Sequence, residues 1–153
     1  MSRPVVIAVL LLNLWPACGR AEEFAVPVLR EAPACALERL GPVQAEVGRR
    51  VSEQTDDARV PTVRIDRALA RLADVASEAG GDAVVLRSRQ GIFFTHNGRQ
   101  SAAPVFIQLR GGALRLPADR SACTFVPVDP RRMQAEMRAD QARQVWARDA
   151  YSD

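Results

Sequence analysis

The sequence contains no lysine, because all 21 of its basic residues are arginines. Schiff-base chemistry and general-base catalysis by a lysine amine are therefore excluded, since an arginine side chain does not lose its proton in proteins. Histidine is nearly absent too, and His96 is the single one. A histidine-rich metal centre is thereby excluded, and the three cysteines are too scattered for the C-x-x-C spacing of a zinc site. We predict no metal and no cofactor.

The sequence also lacks a concentrated block of charge of one sign. Its formal net charge is only +3, and acidic residues are interspersed with the arginines along the whole chain. A nucleic-acid-binding surface needs a basic stripe on one side of the fold. We therefore predict no nucleic-acid partner.

Long apolar runs are missing as well. The run Val5–Leu12 is well short of the roughly 20 residues of a membrane-spanning helix. Arg3 precedes this run and small residues follow it, which is the pattern of a secretory signal peptide over residues 1–21. The mature protein is then periplasmic. Alternatively, Cys18 becomes the lipidated first residue after removal of residues 1–17, and this lipid anchors the protein to the outer membrane.

The odd number of cysteines fits this export route. Export carries the chain into an oxidising compartment, where Cys35 and Cys123 are predicted to form a disulfide. Cys18 is left over, and it is either removed with the signal peptide or lipidated. The number of cysteines does not decide between these two routes.

One domain is predicted for the mature chain, because its length suits a single hydrophobic core. Residues 22–34 are interpreted as a connector that is either a tether or an edge segment, residues 35–128 as the domain, and residues 129–153 as a helical tail. The polar, charged stretch from Gly48 to Pro61 is predicted to be a surface loop.

The clearest element is an amphipathic helix from Ile65 to Ala79. Its apolar residues recur at helical spacing on one face, and its charged residues lie on the other. Thr62 is predicted to be the N-cap, and Gly80-Gly81 the left-handed stop.

Strand patterns surround this helix. Val43–Val47 alternates after a bend or bulge at Gly41-Pro42, and Ala83–Leu86 is a short run of β-formers predicted to lie inside the sheet. The return strand begins at Pro104, and Gly111-Gly112 marks either a bulge in one long strand or a second turn.

The end of the chain changes character again. Thr124–Val128 is predicted to form a last short strand, and Asp129-Pro130 to cap and open the tail helix. This helix is thinly apolar, so it either docks loosely on its own domain or frays, with partner binding as the alternative. The predicted fold class is α/β (α+β): a small sheet with one main amphipathic helix packed on it, plus a C-terminal helix.

A catalytic constellation has little support in the sequence. His96 and Cys123 are the one pair that could act as base and nucleophile. His96, however, lies beside Asn97-Gly98, the favoured centre of a two-residue hairpin turn, where an exposed imidazole without a catalytic role is usual. We predict that the protein is not an enzyme, and we keep a Cys/His-dependent enzyme as an alternative.

Binding is the better supported function class, and the hairpin is its candidate surface. Adjacent residues of a strand point to opposite faces, so one ring of Phe93 and Phe94 can be left uncovered near the hairpin tip. We predict a partner-binding surface formed by Phe93, Phe94, His96 and Arg99.

Four short motifs between Cys35 and Leu116 carry a resemblance to a known family. They are Leu40-Gly41, Pro61-Thr62, Ala83-Val84-Val85-Leu86 with Ser88, and Gly111 with Ala113-Leu114. This region resembles the RcsF-like family of envelope-stress sensor lipoproteins of bacterial outer membranes and, more distantly, the YbjQ-like family of small α/β domains.

The resemblance implies a small α/β fold and an envelope location. The cysteines of the sensor's two disulfides are not matched, since Arg89 and Leu109 stand where two of them would be, and this puts the sensor's signalling role in doubt. We expect a non-enzymatic binding or sensing module whose partner is another envelope protein or component. A structural envelope lipoprotein without a signalling role is the alternative.

Overall fold

The computed structural model describes residues 26–35, 37–50, 60–96 and 99–149. Within them the elements are, in chain order, β1 (Val28–Leu29), β2 (Glu38–Gly48), α1 (Ile65–Glu78), β3 (Ala83–Ile92), β4 (Thr95–His96), β5 (Arg99–Gln100), β6 (Phe106–Arg115) and α2 (Pro130–Asp149). The predicted signal peptide with Cys18, most of the predicted loop 48–61 and the Asn97-Gly98 turn lie outside the described residues.

Four strands form one mixed sheet in the order β1-β3-β6-β2. β1 runs parallel to β3, whereas β6 pairs antiparallel with β3 on one side and with β2 on the other. The Ala83–Leu86 segment of β3 is therefore internal, as predicted. A small sheet carrying one main helix, with a second helix at the C-terminal end, confirms the predicted α/β fold class.

The two helices share one face of the sheet. A single apolar cluster joins them to the sheet and includes Leu69 and Leu72 of α1, Ile107 and Leu109 of β6, and Met133 and Met137 of α2. A smaller cluster covers one end of the opposite face with Leu29, Ala83, Val85, Leu114 and Leu116. Because side chains alternate along a strand, the remainder of that opposite face, called the open face below, carries Gln44, Glu46, Gln108 and Arg110.

Helix α1 follows the predicted amphipathic pattern. Ile65, Leu69 and Leu72 are buried, and the charged residues of the other face are exposed. The helix ends at the double glycine: Gly80, with φ +77°, donates its N–H to Ser77 O at 2.8 Å, and Gly81 donates to Ala76 O at 2.9 Å. This left-handed stop is as predicted.

The predicted N-cap of α1 is wrong. The capping position is Arg64, and Arg64 makes no side-chain cap hydrogen bond. Thr62 lies outside the helix. The chain that leads into the helix is held instead by a hydrogen bond from the Val63 N–H to Pro104 O at 2.7 Å. Asp66 compensates in the first turn, since its Oδ1 accepts the Arg67 N–H at 2.9 Å.

The interruption predicted at Gly41-Pro42 is a β-bulge. The register of β2 against β6 shifts between Arg39 and Gly41, and Gly41 has φ +133°, which a residue with a Cβ atom rarely adopts. A second shift lies in β3, between Leu86 and Ser88. The two bulges therefore lie on either side of β6, one beside Ala113 and Leu114 and the other beside Arg110 and Gly111.

Gly111 and Gly112 lie within one long strand rather than in a turn. A Cβ atom on Gly111 would lie 2.7 Å from Val84 Cγ2 and 2.8 Å from Val85 O. Glycine at position 111 therefore allows β3 and β6 to approach each other closely.

Residues 26–29 form an edge segment of the sheet. β1 is paired on its other side with the chain before α2, since the Arg30 N–H donates to Val126 O at 2.8 Å and the Val128 N–H to Val28 O at 3.0 Å. The strand predicted over Thr124–Val128 is correspondingly reduced to a single β-bridge between Leu29 and Pro127. This pairing brings both ends of the domain together.

The predicted disulfide between Cys35 and Cys123 is present. Its two Cα atoms lie 5.0 Å apart, although 88 positions separate them in sequence. The disulfide links the chain that follows β1 to the loop that follows β6.

Helix α2 is docked on its own domain. Asp129 caps it as predicted, with Oδ1 accepting the Arg131 N–H at 2.9 Å. Met133 and Met137, one turn apart, are only 3% and 2% exposed. Two long, adaptable side chains therefore bury the apolar face of a helix that looks thinly apolar in the sequence.

Candidate binding site at the hairpin

A small hairpin projects from the end of β3. β4 and β5 pair antiparallel, with Thr95 opposite Gln100 and His96 opposite Arg99. This register leaves two residues at the tip, as an Asn-Gly turn requires. Arg99–Gln100 is a short strand of its own, so the return begins earlier than the Pro104 predicted from the sequence.

The two phenylalanines at the base of the hairpin have different environments. Phe93 is 2% exposed and belongs to the core cluster beneath both helices, whereas Phe94 is half-buried. Phe93 is therefore removed from the predicted binding surface, because its ring is covered by the protein itself. Phe94 and the exposed Arg99 remain on the surface, and the side chain of His96 lies outside the described residues.

Hydrogen bonds to Ser101 close the base of the hairpin. The Phe94 N–H donates to Ser101 Oγ at 3.1 Å, and the Ser101 N–H donates to Phe94 O at 2.7 Å. The Ser101 hydroxyl in turn donates to Ala103 O at 2.7 Å. The backbone on either side of Phe94 is thereby fixed.

Helix α2 holds the hairpin from a second side. Gln141 bonds both backbone groups of Phe93, with Oε1 accepting the N–H at 2.7 Å and Nε2 donating to the carbonyl oxygen at 3.1 Å. Arg138 donates to Oε1 and to the carbonyl oxygen of Gln100, both at 3.3 Å, and Gln134 Nε2 donates to Ala102 O at 2.7 Å. The hairpin is therefore held by a polar stripe of α2.

Sequence reasoning missed this stripe. Gln134, Arg138 and Gln141 are spaced by four and three positions, so they lie on one side of a helix. This spacing could have indicated a polar stripe on one side of the helix, but it does not show which part of the protein the stripe contacts.

An ion pair fixes the rotation of α2 beside the hairpin. Arg89 of β3 lies 2.7 Å from Glu136 Oε2 and 3.9 Å from Asp140 Oδ2. The hydrogen bond from Arg132 and the charges of Arg89, Arg132 and Arg30 hold the pKa of Glu136 below its ordinary value. The pair of Arg89 and Glu136 therefore links β3 to α2.

The disulfide bears directly on the Cys/His alternative. Because Cys123 is bonded to Cys35, its sulfur is not a free thiolate that could attack a substrate. Among the described residues, no three His, Cys, Asp or Glu side chains are grouped so that they could hold a metal ion. The broader prediction that the protein is not an enzyme stays a prediction.

Comparison of the chain with protein-family models finds no match, and comparison with curated proteins finds none either. The resemblance to the RcsF-like family therefore stays a prediction. Within the described part of the chain, no helix is long and apolar enough to span a membrane.

Proposed function

We propose that this chain is exported to the periplasm of a bacterial envelope and acts there as a non-enzymatic binding or sensing module, RcsF-like in fold. Its partner is another envelope protein, which it contacts through the hairpin tip, with Phe94 and Arg99 as the principal contacts. Lipidation at Cys18 would add an outer-membrane anchor without changing this role.

The observation that carries the proposal is the way the hairpin is held. Its tip strands contribute little to the core, since Thr95 and Arg99 are exposed. Even so, hydrogen bonds from four side chains fix the base of the hairpin: Ser101, Gln134, Arg138 and Gln141. A projecting loop carried on a rigid scaffold is the usual way in which proteins present binding residues.

Phe94→Ser is expected to weaken partner capture by at least roughly tenfold, because a large aromatic anchor commonly dominates the binding energy of an interface. A photo-crosslinking residue placed at position 95 in the exported, full-length chain first identifies the partner in cells. The same partner is then captured with purified wild type and with Phe94→Ser, whose folding is checked by circular dichroism.

Phe125→Ser is the matched control, since Phe125 is an aromatic residue on another surface and is 39% exposed. It should capture the partner as wild type does. The binding proposal is rejected if Phe94→Ser, still folded, captures the partner as well as the control does. It is also rejected if His96→Ala or Cys123→Ser abolishes a measurable turnover while the fold stays intact.

The export step predicts a mature protein that lacks at least residues 1–17, because a positive start precedes a short apolar run. The intact mass of material recovered from the envelope tests this expectation. A start near Glu22 indicates a periplasmic protein without an anchor, and a diacylglyceryl mass on Cys18 indicates a lipoprotein. A mass that still includes the whole signal contradicts export with processing.

A further inference from the structure

We propose that a cleft on the open face of the sheet, between Arg39 and Arg87, binds a phosphate group. The cleft has a volume of about 260 Å³, and Pro42, Gly112 and Leu114 contribute to its lining. It is separate from the hairpin, so this site and the proposed hairpin surface can be tested independently.

Gly112 forms the floor of the cleft, which is open because glycine has no side chain. Gly112 lies in the central strand, and the atom nearest to a Cβ added there would be Arg87 Nε, at 3.9 Å. The guanidinium of Arg87 thus lies over the glycine, and the space beside it is open. In Gly111 the added Cβ would instead strike Val84 and Val85, so the two glycines have different roles.

Arg39 and Arg87 each lie at one of the two β-bulges. Arg87 is the extra residue of β3, between Leu86 paired with Gly111 and Ser88 paired with Arg110. Arg39 is the last residue of β2 before the register shift that precedes Gly41. A bulge redirects a side chain, and here two bulges on opposite sides of β6 bring one arginine each to the same cleft.

The charges of Arg39 and Arg87 have no opposite charge paired with them in the described part of the chain. Among the described residues, neither Arg39 nor Arg87 forms an ion pair or a side-chain hydrogen bond, and no residue that lines the cleft is acidic. By contrast, neighbouring Arg110 and Arg115 bond to Gln44 and Glu38. Two arginines that line one cleft supply the positive charge and the hydrogen-bond donors that a phosphate group binds.

The test titrates the full-length exported protein with inorganic phosphate at low ionic strength, with backbone amide chemical shifts as the readout. Shift changes should be confined to residues near Gly112, Arg39 and Arg87. Arg39→Gln and Arg87→Gln should each weaken binding by at least roughly tenfold, whereas Arg67→Gln, which removes an equal charge from the exposed side of α1, should not.

Gly112→Val separates a built site from general attraction to positive charge. It fills the floor while keeping both arginines, and its backbone conformation requires no glycine. A valine in a strand should preserve the melting temperature but abolish phosphate binding. Wild-type affinity in Gly112→Val, equal weakening by Arg67→Gln, or no binding of phosphate by the wild type would each overturn the proposal.

A second arm identifies where the phosphate comes from. Vesicles of phosphatidylglycerol are added to the wild type and to Gly112→Val, with phosphatidylcholine vesicles as the reference. A lipid headgroup is supported as the ligand if the wild type binds the phosphatidylglycerol vesicles, if Gly112→Val abolishes this binding, and if inorganic phosphate competes with it. Binding of inorganic phosphate without vesicle binding supports a free phosphate compound in the same cleft.

Discussion

Leu72→Asp is expected to unfold the domain. Leu72 is completely buried at the centre of the apolar face of α1, among the side chains that join this helix to the sheet. An aspartate there would place a carboxylate in the core without a partner, at a cost of several kcal/mol. Because a domain of this size is stable by only about 5–15 kcal/mol, we expect no cooperative melting transition at room temperature or above.

Arg71→Asp is the matched control, one position along the same helix. Its side chain is 53% exposed and forms one solvent-exposed ion pair, with Arg71 Nη1 3.7 Å from Glu78 Oε1. Loss of such a pair costs about 1 kcal/mol or less, so the melting temperature should fall by only a few degrees. Similar thermal melts for the two variants would contradict the assignment of the buried face.

Helix α1 could be predicted from sequence because its signals are local. The spacing of Ile65, Leu69 and Leu72 defines the buried face, and Gly80-Gly81 defines the end. The first residue of α1 could not be predicted from such local signals. Thr62 has the chemistry of an N-cap, but the Val63 N–H donates to Pro104 O, which is far along the chain, and residues 60–64 stay outside the helix.

Predictions at the ends of the domain depended on contacts that are distant in sequence. Residues 26–29 show no periodicity, because a two-residue edge strand is too short to have one. The pairing of Val28 with Val84 and of Leu29 with Val85 places this strand in the sheet. Met133 and Met137 were visible as apolar residues one turn apart, but their depth in the core depends on where α2 meets β3.

The candidate site was predictable only in part. The Asn97-Gly98 pair indicated the hairpin, and the register of β4 against β5 agrees with it. Which of Phe93 and Phe94 faces solvent could not be decided, because alternation places them on opposite sides without saying which side is covered. The cleft was not predicted, since Arg39 and Arg87 line it only because of two bulges whose positions depend on strand pairing.

Removing the disulfide is expected to lower the melting temperature by on the order of 15 °C. The bridge closes a loop across 88 positions, and in the chain-entropy model such a loop restricts the unfolded chain by roughly 4.5 kcal/mol. For a domain of this length, each kcal/mol corresponds to about 4 °C. The double variant Cys35→Ser/Cys123→Ser, exported and melted beside the wild type, measures the change without leaving an unpaired thiol.

The loss of stability on removal of the disulfide should differ between parts of the structure. The disulfide joins the segment after β1 to the segment before Pro127, so β1 and the chain leading into α2 should lose protection from amide hydrogen exchange first. The end of the β2–β6 pairing that is farthest along β2 from Cys35, where Gly48 lies opposite Phe106, should keep its protection under native conditions. Reduction of the wild type should reproduce the melting temperature of the double variant, and alkylation of both cysteines in unreduced native protein would contradict the bridge itself. If the bridge forms but its removal leaves the melting temperature unchanged, the pairing of β1 with residues 126–128 is sufficient to hold the two ends of the domain together.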